Sequence, residues 1–268
     1  MMGRVVRTWA LDAAAFAEVL AQQDPSWGSG HVPVAGGQLV LCGRGMYVNR
    51  ALGAGLEAPL TSADFELIET RSAAADVDAS IELTPVTHPA VGPQARARGY
   101  VVTRTIRALR RPLVARERYP AGGRIVIEPA AHQVAVWQET SALGWGHEAP
   151  GARRASDAFA AATATVDGAG FVVARDAATG EPVGCASLAV RESVATLAAM
   201  STVPGARRRG VQAALIVHRL RVARAARCDV ATTTVEPGGA SERNLVRHGF
   251  TSWFDITLLT RPSSPRPD

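Results

Sequence analysis

Val203-Pro204-Gly205-Ala206-Arg207-Arg208-Arg209-Gly210-Val211-Gln212 is the stretch on which the reading of this chain turns. It follows a β-prone run, Ala195 to Val203, and leads into Val211 to Ala226, rich in Ala, Leu, Ile and Val, which reads as a helix. A strand that runs straight into a helix through such a loop presents the free N–H groups of the first helical turn and the positive end of the helix dipole. Phosphate is the natural ligand of that arrangement. Gly205 and Gly210 are expected to let the backbone curl so that successive amides converge, and Gly210 has no side chain to obstruct a diphosphate. Arg207, Arg208 and Arg209 add positive charge at the same point. The spacing from Arg207 to Gly210 lets a guanidinium and a glycine amide meet one diphosphate. Taken alone, the pattern has a plainer reading as an exposed basic loop, so its weight comes from its surroundings.

Upstream of the loop, Ile125 to Ile127 reads as a strand, Ala130 to Leu143 and Ala155 to Thr165 as helices, and Phe171 to Ala174 and Val183 to Val190 as strands joined by the turn Thr179-Gly180-Glu181-Pro182. Downstream come a strand, Asp229 to Val235, a short helix, Ser241 to His248, and a last strand, Phe250 to Leu259. Three antiparallel strands, a crossover helix, a strand beside the third, a helix and a final strand make a mixed sheet with helices on its faces.

The first half echoes the second. Arg98-Gly99-Tyr100 precedes a β-prone run and Arg111-Pro112; His248-Gly249-Phe250 precedes another and Arg261-Pro262, with proline thirteen positions after glycine in both. Before each glycine stand a strand, a proline turn and a short helix: Ile81 to Leu83, Pro85 and Val91 to Arg98 in the first half, Val230 to Val235, Pro237 and Ser241 to His248 in the second. Each glycine reads as the left-handed residue that ends a helix. Leu113 to Arg124, with its Pro and paired Gly, breaks both periodicities and is the expected link. The expected domains are 1–115 and 116–262, followed by a disordered tail, 263–268.

Arg207-Arg208-Arg209-Gly210-Val211-Gln212, in this order of strands and helices, resembles the acetyl-CoA signature of the GNAT N-acetyltransferase superfamily: Arg or Gln, two residues, Gly, one residue, then Gly or Ala. Gln212 departs from the pattern at its last position. The resemblance covers Ile125 to about Pro262. It implies an α/β fold of two GNAT-like domains, each a mixed, mostly antiparallel sheet flanked by helices, with a degenerate first half. It also implies acetyl-CoA as co-substrate, no metal, and transfer of an acetyl or short acyl group to a primary amine by direct attack. The strands Ala195 to Val203 and Asp229 to Val235 should then part, with the pantetheine arm pairing against Met200, Ser201, Thr202 and Val203 as a surrogate strand. A backbone N–H near Met200 would polarise the thioester oxygen. Arg207, Arg208, Arg209, Gly210, Val211 and Gln212 would hold the diphosphate. Ser241 and Asn244, in a Ser-Glu-Arg-Asn segment like those of relatives, would touch the coenzyme, although Ser241 also suits a helix cap.

The acid and base are less legible. The strand Ala195 to Val203 has no Asp or Glu; Glu192 and Glu236 are the nearest candidates, and both also fit solvated turn residues. His218 reads as a packed or half-exposed helix residue. Many relatives carry a tyrosine four residues before the Gly-Phe glycine to protonate the leaving thiolate, and here that place holds Leu245. A protein that binds acyl-CoA without turnover is therefore the alternative reading. In the first half, Asn49-Arg50-Ala51-Leu52-Gly53 stands between a strand, Gln38 to Cys42, and a helix, Thr61 to Ala75, without the cradle spacing. Trp27, Trp137 and Trp145 are candidates to line an acceptor cleft, with burial in ordinary cores the commoner fate.

Composition bounds the rest. With 268 residues, two modest domains fit. The net charge of +5 and pI near 9.8 come from arginine alone, spread through both halves with no lysine. That spread looks like codon bias rather than a basic face, so neither nucleic acid nor membrane is an expected partner. Trp9 to Ala21 is interrupted by Asp12 and Glu18 and reads as a first amphipathic helix rather than a signal peptide. Cys42, Cys185 and Cys228 stand far apart in apolar contexts, which suits buried free thiols and a cytoplasmic protein. The acceptor and the oligomeric state leave no mark in the sequence.

Overall fold

The structure, a computed structural model, describes residues 1–114, 123–147 and 149–262. Most of the expected link and the whole expected tail lie outside the described residues. The chain forms two compact units, Met1–Arg107 with Phe254–Asp268, and Ala108–Trp253.

The first unit opens with α1 (Met2–Gln23), whose buried face carries Val5, Val6, Ala10, Ala14, Phe16, Ala17 and Leu20. Strands β1 (Gly30–Val34), β2 (Gly37–Leu41) and β3 (Arg50–Leu52) form an antiparallel meander, and α2 (Ser62–Ala74) crosses to β4 (Ala79–Leu83), parallel to β3. Then come α3 (Val91–Ala97) and β5 (Val101–Pro112), which belongs to this unit up to Arg107. The last strand of the chain, β11 (Thr251–Arg261), enters this unit from Phe254 and lies between β4 and β5. Hydroxyls join the three strands: Thr260 Oγ1 is 2.9 Å from both Ser80 Oγ and Thr103 Oγ1. Phe65, Ile68, Leu39, Ile81, Tyr100 and Leu259 meet in its core.

The second unit begins with the end of β5, from Ala108, and continues with β6 (Ile125–Pro129), α4 (Val134–Trp145) and α5 (Pro150–Thr163). Strands β7 (Ala169–Asp176), β8 (Pro182–Arg191) and β9 (Val194–Thr202) follow as an antiparallel meander, then α6 (Val211–Ala225), β10 (Val230–Val235) and α7 (Ala240–Arg247). Its strand order is β5-β10-β9-β8-β7-β6, with β10 parallel to β9 as a crossover helix requires. Apolar side chains of α6, Val211 and Leu215, pack with Val172, Ala174, Val183 and Ala186. Trp137 of α4 packs with Phe171, Val173, Cys185 and Ala160.

Both halves of the chain run through meander, helix, parallel strand, short helix and long strand, so the echo in the sequence is an echo in structure. The helix ends match bond for bond. Tyr100 N–H donates to Ala95 O at 3.1 Å and Gly99 N–H to Arg96 O at 3.0 Å; Phe250 N–H donates to Leu245 O at 3.1 Å and Gly249 N–H to Val246 O at 3.0 Å. Gly99 (φ 84°) and Gly249 (φ 79°) are the left-handed residues that close these motifs. This equivalence is why the sequence does not tell where the last strand goes. It reads as the end of the second domain, whereas from Phe254 it counts with the first unit.

Candidate functional site

Strand β9 carries a bulge. Ser187 pairs with Ala198 and Cys185 with Ser201, so Ala199 and Met200 together face Ala186 of β8, and Ala199 takes a left-handed conformation (φ 45°). An extra residue in one strand bends it and breaks its ladder locally. On its other edge β9 pairs with β10 at only three positions, Val194, Ala195 and Thr196, with Val230, Ala231 and Thr232. Past Thr196 the two strands part, and the edge of β9 from Leu197 to Thr202 has no paired partner in β10.

The loop after β9 turns twice. Pro204–Ala206 form a single 3-10 turn, and Ala206 is buried among Val172, Val211 and Leu215, which anchors the loop on the core. The left-handed residues are Arg208 (φ 63°) and Gly210 (φ 82°), so the curl expected at Gly205 lies at Arg208 instead. Gly210 caps α6 with no side-chain hydrogen bond, and among the described residues no acceptor meets the backbone N–H groups from Arg208 to Ala213. A Cβ on Gly210 would meet nothing within 4 Å. The helix start can sit close to the sheet because Gly184 leaves room: a Cβ there would come within 2.6 Å of Val211. A row of free donors at the positive end of a fifteen-residue helix can hold an anion with two phosphate groups.

The three arginines do different work. Arg207 donates to Gly144 O at 3.2 Å, tying the loop to the end of α4. Arg209 pairs with the buried carboxylate of Asp176, and among the described residues Arg208 alone of the three has no hydrogen-bond partner. The Ala178 N–H, and then Arg209 beside it, hold the Asp176 carboxyl below its usual value. A carboxylate depressed in this way stabilises the fold above its unfolded pKa near 3.8, and that contribution is lost as pH falls through the lower folded value. The melting temperature of Asp176→Asn is expected to lie below wild type at neutral pH and to converge with it below about pH 4; a gap that stays constant with pH would contradict this.

Residues 133–250 match the model of the acetyltransferase (GNAT) family. The segment is a GNAT domain. Across the whole chain the fold is that of GCN5-related N-acetyltransferases. One from Kribbella flavida is 19% identical with a TM-score of 0.60, covering 93% of this chain and 95% of that one. A tandem GNAT protein from the clavulanic acid biosynthesis pathway is 15% identical with a TM-score of 0.60, covering 86% and 79%. One from Sphaerobacter thermophilus is 16% identical with a TM-score of 0.56, covering 76% and 66%. No curated protein matches the chain by sequence.

Within the GNAT domain the residues expected to bind the coenzyme gather at one end of β9. Met200, Ser201 and Thr202 form the parted edge, and Val203 N–H is tied to Val183 O at 3.0 Å. The side chain of Gln212, the odd position of the loop pattern, lies between α6 and α7: its Oε1 accepts from Asn244 Nδ2 and its Nε2 lies 3.4 Å from Ser241 Oγ. This cluster joins three of the expected residues. Ser241 makes no cap; Gly239 occupies that position. Glu236 is exposed just beyond β10, at the parted end, whereas Glu192 lies in the β8–β9 turn at the paired end of β9. Six or more residues at about 3.3 Å each separate that turn from the bulge. Leu245 is buried in the core. His218 is half-buried, and burial, with Arg221 and Arg219 beside it, holds its imidazole below the usual value. Of the three tryptophans, Trp27 and Trp137 are core residues and Trp145 is exposed, against the ring of His147.

Arg219, on which no motif in the sequence falls, is buried beneath the bulge. Its signal was available: Leu215, Ile216, Arg219, Leu220 and Ala223 recur at helical spacing on the buried stripe of α6.

In the first unit the corresponding places are closed by its own side chains. At the start of α2, Thr61 and Asp64 form a capping box, with Asp64 N–H on Thr61 Oγ1 at 3.2 Å and Thr61 N–H on Asp64 Oδ2 at 2.7 Å. The capping carboxylate occupies the pole where an anion would bind. Between β3 and β4, Arg50 Nε meets the buried Glu82 carboxylate at 2.5 Å.

Proposed function

We propose that the GNAT domain binds acetyl-CoA and transfers its acetyl, or another short acyl group, to a primary amine by direct attack in a ternary complex. The observation that carries this reading is the junction of two backbone surfaces: the free N–H groups from Arg208 to Ala213 and the edge of β9 from Leu197 to Thr202 that β10 leaves unpaired. The first suits a diphosphate, with Arg208 closing over it; the second suits an extended amide arm that adds as a strand. The Gln212, Ser241 and Asn244 cluster flanks the helix start and offers further polar contacts to the coenzyme.

At the bulge, a backbone N–H at or beside Met200 donates to the thioester oxygen. The amine nitrogen attacks the carbonyl carbon, the negative charge that develops on oxygen is held by that donor, and the carbon–sulfur bond breaks with the electron pair leaving on sulfur. A single such donor contributes about 3 kcal/mol to the transition state. An amine with a solution pKa of about 10 must shed a proton first, and Glu236, at the parted end, is the better placed of the two candidate carboxylates to take it through water. As the amide forms, the nitrogen gives up its extra proton to solvent, and the leaving thiolate takes a proton from solvent, since Leu245 has none to give. The buried free thiols of Cys42, Cys185 and Cys228 suit a reducing cytoplasm.

Leu245 in the core and the lack of any carboxylate on β9 favour one other reading, a protein that holds acyl-CoA without turnover. Thiol release from acetyl-CoA, followed against a panel of primary amines, separates the two. Turnover with at least one amine is expected; tight acetyl-CoA binding with no thiol release from any amine would favour the second reading.

A further inference from the structure

Arg219 is 2% exposed, and among the described residues no carboxylate pairs with it. Its donors go to neutral groups instead. Nε donates to Leu215 O at 3.1 Å, Nη1 to Ser187 O at 3.0 Å and Ala198 O at 3.2 Å, and Nη2 lies 2.9 Å from Met200 Sδ. Ser187 and Ala198 face each other on one flank of the bulge, and Met200 lies within it. The guanidinium therefore spans the distorted part of the ladder from the α6 side. From the α4 side, Trp137 Nε1 donates to the carbonyl of Ala186, the residue opposite the bulge, at 3.3 Å. A leucine in place of Arg219 would suit the stripe and leave two strand carbonyls short of a donor. Burial pushes the Arg219 pKa down to about 9, which leaves it protonated at neutral pH.

An isolated buried cation is costly, and the usual remedy is an acidic partner. Here the charge is left over, a few bonds from the segment whose opposite edge is open. In a low-dielectric interior such a charge acts with little screening on anything that develops negative charge nearby.

We propose that Arg219 is a positioning residue for the acyl group: it holds the β9 bulge so that the Met200 region donates to the thioester oxygen, and its charge strengthens that polarisation from behind the strand. This rests on the reading of the GNAT domain as an acetyl-CoA site. The diphosphate loop is not touched by Arg219, so binding and polarisation can be separated.

The test is the infrared carbonyl stretch of acetyl-CoA labelled with 13C at the acetyl carbonyl, bound to wild type, Arg219→Met and Arg219→Lys, with affinity measured alongside by calorimetry. Wild type is expected to lower the stretch relative to free acetyl-CoA. Arg219→Met is expected to bind with near wild-type affinity and lose most of the lowering, and Arg219→Lys, which keeps the charge but not the fork, to recover part of it. With any amine that is turned over, Arg219→Met should lower kcat and leave KM for acetyl-CoA little changed. A full wild-type lowering in Arg219→Met overturns the inference. If that variant does not fold, a wild-type stretch and kcat in Arg219→Lys overturns it. Failure of wild type to bind acetyl-CoA would overturn the underlying reading instead.

Discussion

Valine in place of Gly210 is expected to weaken acetyl-CoA binding about 100-fold, or ~2.7 kcal/mol, in a protein that still folds. Gly210 stands at φ 82° with no protein atom within 4 Å of where its Cβ would point. A Cβ there therefore meets nothing in the fold, and a branched side chain stands beside the free N–H groups, where the diphosphate must come. The strain of a branched residue in a left-handed conformation adds about 1 to 3 kcal/mol against folding, so unfolding should be followed in parallel. Titration calorimetry measures the first effect and thermal unfolding the second. Unchanged affinity would mean that the diphosphate lies elsewhere.

Trp137→Ala is expected to destabilise the second unit by about 4 kcal/mol, the largest stability effect of any substitution considered. The ring is fully buried, with centroids 4.4 Å from Phe171 and 6.4 Å from Phe159, and its N–H satisfies Ala186 O opposite the bulge. Alanine removes the ring and leaves that carbonyl without its donor. For a unit of this size the melting temperature should fall by about 10 °C. A fall below about 2 °C would show that the α4 side of the sheet is not braced as described.

Most of the second unit was legible because its elements are locally consistent: periodic apolar residues, turn glycines and prolines, and a loop whose chemistry is written in six residues. The exceptions have physical causes. Helix α5 starts at Pro150 rather than near Ala155, because proline is favoured in the first helical turn, where its missing N–H is not needed. Helix α1 extends back to Met2, since Arg4 and Arg7 do not interrupt a helix whose buried face is set by Val5 and Val6. Strand β3, three residues long, is too short to show alternation. The loop is legible as a turn into a helix, but which of its arginines is engaged is not, because Asp176, the partner of Arg209, is 33 residues away. The bulge at Ala199 has no sequence signal at all; a left-handed alanine is held there by groups on both faces of the sheet, Trp137 and Arg219, that meet only in three dimensions. The same holds for the first unit, whose lack of a phosphate loop could be read, but whose open places are filled by the Thr61 and Asp64 capping box and the Arg50 and Glu82 pair.

We propose one acyl-CoA site per chain, at the start of α6, because its counterpart at the start of α2 is closed by the Asp64 carboxylate. Calorimetric titration of the full chain with acetyl-CoA tests it directly. One site per chain is expected, abolished or strongly weakened by Gly210→Val; no binding, or two sites per chain, would show that the start of α6 is not the single place where the coenzyme is held.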